Sequence, residues 1–544
     1  MKQLISKASK VFWEEHFTIK KFMSLFTIKG SEAVQKDFSI EKAKSEPPVP
    51  KKNNAQRIGL VAGPVLFLLC ILFFQPEGLS NQAQAVLAIT IWMAVWWMTE
   101  AVPIPVTALL PIILFPLTGG VDLNTTTSAY GSDIIFLFMG GFMIALAMER
   151  WNLHRRIALS IINLVGTSTE KIILGFMIAT AFLSMWISST ATTMLMVPIG
   201  TAIIVNFGEL LKQHRVSDIS NLKDKFGKAL MLAISYSALT GGLGTLIGTP
   251  PNTIMAGFAR ETYGLDISFA SWMLFGVPIA IVFTGVAFFV LVKFLFPLRI
   301  KDLPGGSEII REQYKALGSM SREEGMVAAV FTLTAIAWIT RSFLLQPYVS
   351  QGIDDAIIAI TAAVVLFILP SKQKPGESLL NWETTKKLPW GILILFGGGL
   401  ALAAGFTNSG LTEWVGSQLT GLSNFPVIVI LFAVIFLVIF LTEITSNTAT
   451  ATMLIPMMGA LAVAVGVHPI ALIAGTTIAA SCAFMLPIAT PPNAIVFSSG
   501  VLTIKDMAKS GIWLNIIFSI ILTVVIYLYL PLVWNFNISE LPLL

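Results

Sequence analysis

The chain has 544 residues, 55% of them hydrophobic and only 12% charged, with a mean hydropathy of +0.80. That balance excludes an ordinary soluble enzyme of this length, whose surface demands far more polar side chains. The formal net charge of +5 is not a nucleic-acid footprint, because the basic residues are spread along the chain and not gathered on one soluble domain.

In chain order, residues 1–57 come first, with twelve Lys and Arg and no long apolar run. Residues 1–56 read as a basic cytoplasmic tail. With no continuous apolar core ahead of a small-residue cleavage site, the amino terminus is not a secretory signal, and the first span acts as an uncleaved anchor. Apolar runs long enough for a bilayer, which takes about 20 helical residues, then recur at 58–75, 83–99, 102–117, 133–149, 229–259, 271–297, 325–341, 354–370, 389–406, 470–500 and 510–533. The expected fold is an all-α polytopic membrane protein of about 11 transmembrane helices. Threading those spans from a cytoplasmic tail puts 33 of the 35 Lys and Arg at cytoplasmic ends and leaves only Arg260 and Arg341 outside. The carboxyl terminus is then extracellular, and the protein belongs in the cell membrane. Cys70 and Cys482 both lie in apolar runs, so no disulfide framework exists, and His16, His154, His214 and His468 are too scattered for a metal centre.

The sequence also repeats itself. Phe138-Met139-Gly140-Gly141 recurs as Phe396-Gly397-Gly398-Gly399, and Ser188-Ser189-Thr190-Ala191-Thr192 as Ser446-Asn447-Thr448-Ala449-Thr450, both 258 residues later. Thr249-Pro250-Pro251-Asn252 recurs as Thr490-Pro491-Pro492-Asn493, 241 residues later. Residues 57–300 are the first repeat, 301–324 a cytoplasmic linker or arm, and 325–544 the second repeat. The fourth and ninth spans carry the matching Gly-rich stretches. Five crossings apart, they run in opposite directions, which makes an inverted repeat. Residues 172–187 and 191–206 flank the first Ser/Thr motif, and 425–445 and 449–464 the second. They look too short for comfortable spans and read as two re-entrant helical hairpins, with tips at 188–190 and 446–448. Helix breaks follow at 248–252 and 489–493.

Irregular backbone inside a bilayer persists only where protein or a wet cavity receives it. Pro250, Pro251, Pro491 and Pro492 remove donors and end the preceding helix. A broken helix presents N–H groups and partial positive charge at its new N-terminus, suited to a carboxylate, and carbonyl oxygens at its C-terminal end, suited to a hard cation. Ser and Thr hydroxyls serve either ligand, and the Asn447 amide both donates and accepts. No Lys, Arg or His lies near these motifs in sequence, so a dianion's charge must be offset otherwise, and bound cations are the simplest answer. The plainer reading is that small polar residues let membrane helices pack closely. It accounts for Gly397–Gly399, but not for four breaks at repeat-related positions. Glu100, Asp133 and Glu149 sit at span ends, where interfacial exposure explains them. Glu443, inside a hairpin, either tunes a cation site or bonds exposed backbone.

At Leu441 to Thr450, Ile247 to Asn252, Ala489 to Asn493 and Asp133 to Gly141, the chain resembles the divalent anion:sodium symporter family, from about residue 57 to the end. It is most similar to the Gram-positive sodium-dependent dicarboxylate transporters. The resemblance implies an elevator-type homodimer that carries a small dicarboxylate with sodium and needs no other cofactor. Substrate contacts are implied for Ser188, Ser189, Thr190, Thr249 and Pro250, and for Ser446, Asn447, Thr448, Thr490 and Pro491. One sodium is implied among Ser184, Ser188, Ser189 and the Gly248 carbonyl, and another among Thr442, Thr445, Asn447 and the Ala489 carbonyl. The family's first tip is usually Ser-Asn-Thr, whereas here Ser189 replaces Asn, so weaker cation binding or a water in the gap is expected there.

Three other readings compete with symport. Obligate exchange is not excluded by sequence, and sulfate or citrate are alternative cargoes. An intramembrane enzyme built on Ser188 or Ser446 lacks a His or Lys near either serine. A channel needs a continuous pore, which opposed hairpins would close.

Overall fold

The computed structural model describes residues 54–166, 168–213, 219–297 and 306–541. The expected tail lies outside these residues except for 54–56, which form the first turn of a helix. Apart from one isolated bridge between Pro370 and Ser378, the described residues hold only helices and loops.

The chain opens with α1 (Asn54–Phe73), α2 (Asn81–Thr99) and α3 (Leu110–Thr118). The expected span at 102–117 is not one helix: a single turn at Ile104–Thr107 precedes α3. Pro111 explains the interruption, since it lacks the N–H that would bond the Thr107 carbonyl and continue the helix. Next come α4 (Asp133–Arg150), α5 (Leu153–Val165), α6 (Thr169–Ser184), α7 (Ser189–Gln213), α8 (Ile219–Gly242), α9 (Pro250–Tyr263) and α10 (Phe269–Phe289). After α11 (Gly306–Ala316), α12 (Arg322–Thr340) and α13 (Asp355–Ile368), the series returns as α14 (Trp390–Asn408), α15 (Leu411–Leu419), α16 (Val427–Leu441), α17 (Asn447–Ala464), α18 (Pro469–Ala480), α19 (Pro491–Ser498) and α20 (Ile504–Val524). Helices α4 to α10 thus correspond in order to α14 to α20. The correspondence reaches the last turns, because α10 and α20 each have 21 residues and each passes directly into a π-helical turn, Val290–Leu295 and Val525–Tyr529.

Two expectations need correction. The second arm of the first hairpin is not short: α7 has 25 residues, about 37 Å at the helical rise of ~1.5 Å per residue. Its sequence stays helix-compatible through Glu209 and Lys212, past the apolar stretch. The helix breaks are also wider than the Pro-Pro motifs alone. Residues 243–249 are non-helical in the first half and 481–490 in the second, and the prolines begin α9 and α19 at positions where a missing N–H costs nothing.

The buried apolar side chains form two clusters. Among the described residues, the smaller joins α2, α3 and part of α14 through Met93, Trp97, Phe115, Leu395 and Phe406, while the larger takes Leu393, Phe396 and Leu400 of α14 together with most of the other helices. Gly397, Gly398 and Gly399 of α14 face three different neighbours, Tyr130, Ala108 and Thr452 on α17. A β-carbon at Gly398 would come within 2.5 Å of the Ala108 carbonyl oxygen, so close packing is their role.

Ion pairs tie the ends together. Arg156 on α5 bonds both oxygens of Glu324 at 3.2 and 3.0 Å and also donates to the carbonyls of Leu317, Gly318 and Ser319. Arg260 and Arg341, the two exceptions to the cytoplasmic bias, are each neutralised. Arg260 forms a two-pronged pair with Asp133, and Arg341 lies 3.0 Å from Asp266 and 3.4 Å from Asp355.

Candidate functional site

The two Ser/Thr tips, 258 residues apart in sequence, line one cavity of about 1000 Å³. Ser188, Ser189, Thr190, Thr249 and Pro250 come to it from the first repeat, and Ser446, Asn447, Thr448, Thr490 and Pro491 from the second. Gly248, Thr445 and Ala489 also reach its wall, whereas Ser184 and Thr442 lie just behind it, fully buried. Four helices begin here, α7 at Ser189, α9 at Pro250, α17 at Asn447 and α19 at Pro491. Helices α7 and α17 bring N-terminal N–H groups here, whereas α9 and α19 begin on Pro-Pro and add the positive end of the helix dipole with no N–H at their first two positions. Among the described residues, no Lys, Arg or His lines the cavity.

Behind each tip stands a hydroxyl that bonds the tip and a neighbouring helix. Ser184 Oγ lies 3.0 Å from Ser189 Oγ and donates to the Ala238 carbonyl at 2.5 Å. Thr442 Oγ1 lies 2.8 Å from both Asn447 Oδ1 and the Ala480 carbonyl. A threonine hydroxyl has one proton, so it satisfies only one of those two acceptors at a time. Three oxygens sharing one proton are a cation-receptive cluster. The Ala238 and Ala480 carbonyls were missed in the sequence, because nothing local marks which carbonyl of a neighbouring helix faces a tip. Thr445 is engaged elsewhere: its hydroxyl donates to the Leu441 carbonyl and lies 2.6 Å from Thr450 Oγ1.

The Thr-Pro-Pro-Asn asparagines hold the unwound loops. Asn252 Nδ2 donates to the carbonyls of Gly242 and Thr245 at 3.1 and 2.8 Å. Asn493 Nδ2 donates to those of Ala483 and Leu486, both at 3.0 Å. A β-carbon at Gly242 would stand 3.1 Å from the Gly248 carbonyl oxygen and 3.5 Å from Ser189 Oγ, so the absent side chain lets these two oxygens approach.

The halves differ at two further points. Ser188 Oγ accepts from Ala191 N at 3.2 Å and so caps α7, whereas Ser446 makes no side-chain cap on α17. Glu443 is buried and accepts from Phe484 N and Met485 N at 2.7 and 2.9 Å, from Leu486 N at 3.1 Å and from Asn515 Nδ2 at 2.8 Å. Of its two expected roles, bonding exposed backbone is the one observed. Its counterpart in the first half is Met185. Trp97, Phe138, Phe142, Leu395, Ile444 and Ile488 supply apolar wall, which the sequence could not distinguish from lipid-facing or core residues.

An inverted helical repeat with two polar tips meeting at a break in two helices defines a polytopic membrane transporter, not an enzyme. Residues 53–535 match the family described as the sodium:sulfate symporter transmembrane region, and the chain belongs to that family. The sodium-dependent dicarboxylate transporter SdcS of Staphylococcus aureus strain USA300 is 50% identical over 491 residues, covering 90% of this chain and 94% of that protein. The SdcS of strain MRSA252 is 50% identical over 494 residues with the same coverage. Among solved structures, that of Neisseria gonorrhoeae MtrF matches in fold with a TM-score of 0.53 and 11% identity, over 90% of this chain and 96% of that one.

Proposed function

We propose that this protein imports C4-dicarboxylates such as succinate, fumarate and malate across the cell membrane, coupled to sodium. The observation that carries the reading is the convergence of four helix N-termini and two hydroxyl-rich tips on a cavity that no basic side chain lines among the described residues. Helix N-termini and hydroxyls suit a carboxylate at each tip. Sodium among Ser184, Ser188, Ser189 and the Gly248 carbonyl, and among Thr442, Thr445, Asn447 and the Ala489 carbonyl, with the Ala238 and Ala480 carbonyls behind the two tips, supplies the remaining positive charge. Half the residues are shared with relatives that are themselves named sodium-dependent dicarboxylate transporters.

The cavity is walled at one end by Ala55, Gln56, Glu100, Pro389 and Gly391. With the amino-terminal tail in the cytoplasm, all of these lie at cytoplasmic helix ends, so this state faces inward and the carboxyl terminus lies outside. The placing of α2 and α3 in a smaller apolar cluster, with the cavity at its boundary, supports an elevator movement in which the hairpin-bearing helices slide against α2 and α3 within a homodimer. Uptake of labelled succinate into proteoliposomes, with and without a sodium gradient, tests the function. Uptake that needs internal counter-substrate instead of sodium defines an exchanger. Competition by sulfate or citrate stronger than by fumarate moves the cargo to another divalent anion.

A further inference from the structure

Asn493, on α19 of the second repeat, is held from across the repeat boundary. Its Oδ1 accepts a 2.6 Å hydrogen bond from Ser235 Oγ on α8 of the first repeat, and both residues are fully buried. The 241-residue offset that relates Asn252 to Asn493 also relates Ser235 to Thr476. Thr476 lies on α18, which packs on α9, the helix that carries Asn252, as α8 packs on α19. Yet Thr476 Oγ1 and Asn252 Oδ1, both fully buried, have no hydrogen-bond partner. The two asparagines are otherwise matched, each holding two loop carbonyls through Nδ2. This link is made in the second half and open in the first. A buried donor and a buried acceptor left unpaired at the mirror position of a made bond carry a cost that pairing would remove.

We propose that Ser235 and Thr476 are positioning residues for the cation half-sites, each clamping the loop asparagine of the opposite repeat. In this state the Ser235–Asn493 clamp is closed. The Thr476–Asn252 clamp closes when sodium fills the first half-site. Sodium is the trigger because Asn252 grips Gly242, and the Gly242 backbone backs directly onto the Gly248 carbonyl and the Ser189 hydroxyl. A cation gathering those two oxygens tightens the loop at 243–249 that Asn252 holds. The first loop has Met185 where the second has Glu443 with its three backbone bonds, so it is the freer of the two to respond. Each half-site thereby senses the other repeat, a route by which two sodium ions bind with positive cooperativity.

The inference rests on the sodium-coupled reading above. Succinate uptake in proteoliposomes is measured against sodium for wild type, Ser235→Ala, Thr476→Val and Thr476→Ser, each checked for monodisperse elution. Thr476→Val and Ser235→Ala raise the half-saturating sodium concentration roughly three- to tenfold and flatten the sodium curve. The rate at saturating sodium stays nearly unchanged, and Thr476→Ser restores the wild-type response. A folded Thr476→Val with a wild-type sodium curve overturns the proposal. Independently of any variant, sodium should slow hydrogen exchange in wild-type peptides covering 243–255 relative to choline, and equal exchange in the two salts also overturns it. Wild-type uptake that ignores sodium altogether would instead sink the sodium-coupled reading itself.

Discussion

Ser184 Oγ and Ser189 Oγ stand 3.0 Å apart, the same pairing that Thr442 and Asn447 make at 2.8 Å in the other half. The first pair consists of two hydroxyls, each with a proton of its own. The second sets a hydroxyl against a carboxamide oxygen that has none. The first half therefore offers a cation the weaker set of oxygens. Restoring the amide with Ser189→Asn should lower the half-saturating sodium concentration for succinate uptake by about two- to fivefold. An unchanged sodium curve would show that the first tip does not limit cation binding.

Asn447→Ala removes an oxygen from the cluster with Thr442 and Ala480 and an amide from the cavity wall. The expected loss is about 2–4 kcal/mol of combined cation and substrate binding, or roughly 30- to 1000-fold in apparent affinity. Isothermal titration of succinate in sodium buffer, beside transport, checks this. Near-wild-type binding would remove Asn447 from the site.

Gly242→Ala introduces a methyl group 3.1 Å from the Gly248 carbonyl oxygen and 3.5 Å from Ser189 Oγ. It should weaken the sodium response of the first half while leaving the second intact, so the sodium curve loses steepness and keeps a residual saturable phase. Complete loss of sodium dependence in folded protein would contradict two separate half-sites.

Glu443→Gln replaces a carboxylate that receives three backbone N–H groups and the Asn515 amide. One of its two oxygens becomes an NH₂ group facing donors. About 2–3 kcal/mol of stability should be lost, read as a lower melting temperature in detergent with sodium present. A melting temperature equal to wild type would mean that the 481–490 loop is held by other contacts.

Arg156 gathers a carboxylate and three carbonyl oxygens at the junction of α5, α11 and α12. Lysine is a point charge without the planar fork and cannot reach all of them. Arg156→Lys should therefore destabilise the protein almost as much as Arg156→Leu, by about 2–4 kcal/mol. Thermal unfolding followed by tryptophan fluorescence distinguishes the two cases.

Much of the site was legible because its chemistry is local. The tips, the Pro-Pro breaks and their two-fold recurrence are written in consecutive residues, and the structure gathers every residue expected to touch substrate into one cavity. Helix boundaries were less legible. The proline-rich stretch at 102–117 has the hydropathy of a span without the geometry of one. The α7 arm looked short because hydropathy fades near Glu209 although the helix continues to Gln213. Thr445 is placed at the second sodium by the resemblance alone, and its hydroxyl turns toward Leu441 and Thr450.

The sequence by itself determined the membrane class, the inverted repeat and the chemical asymmetry between Ser189 and Asn447, because composition, periodicity and repeated motifs are properties of neighbouring residues. Only the tertiary structure decided which distant groups complete each half: the Ala238 and Ala480 carbonyls, the bonding of Glu443 to the 484–486 backbone, and the Ser235 hydroxyl on Asn493. Those partners are fixed by the direction in which a packed helix turns its carbonyls and side chains. Packing across the whole molecule sets that direction, and no stretch of the chain encodes it alone.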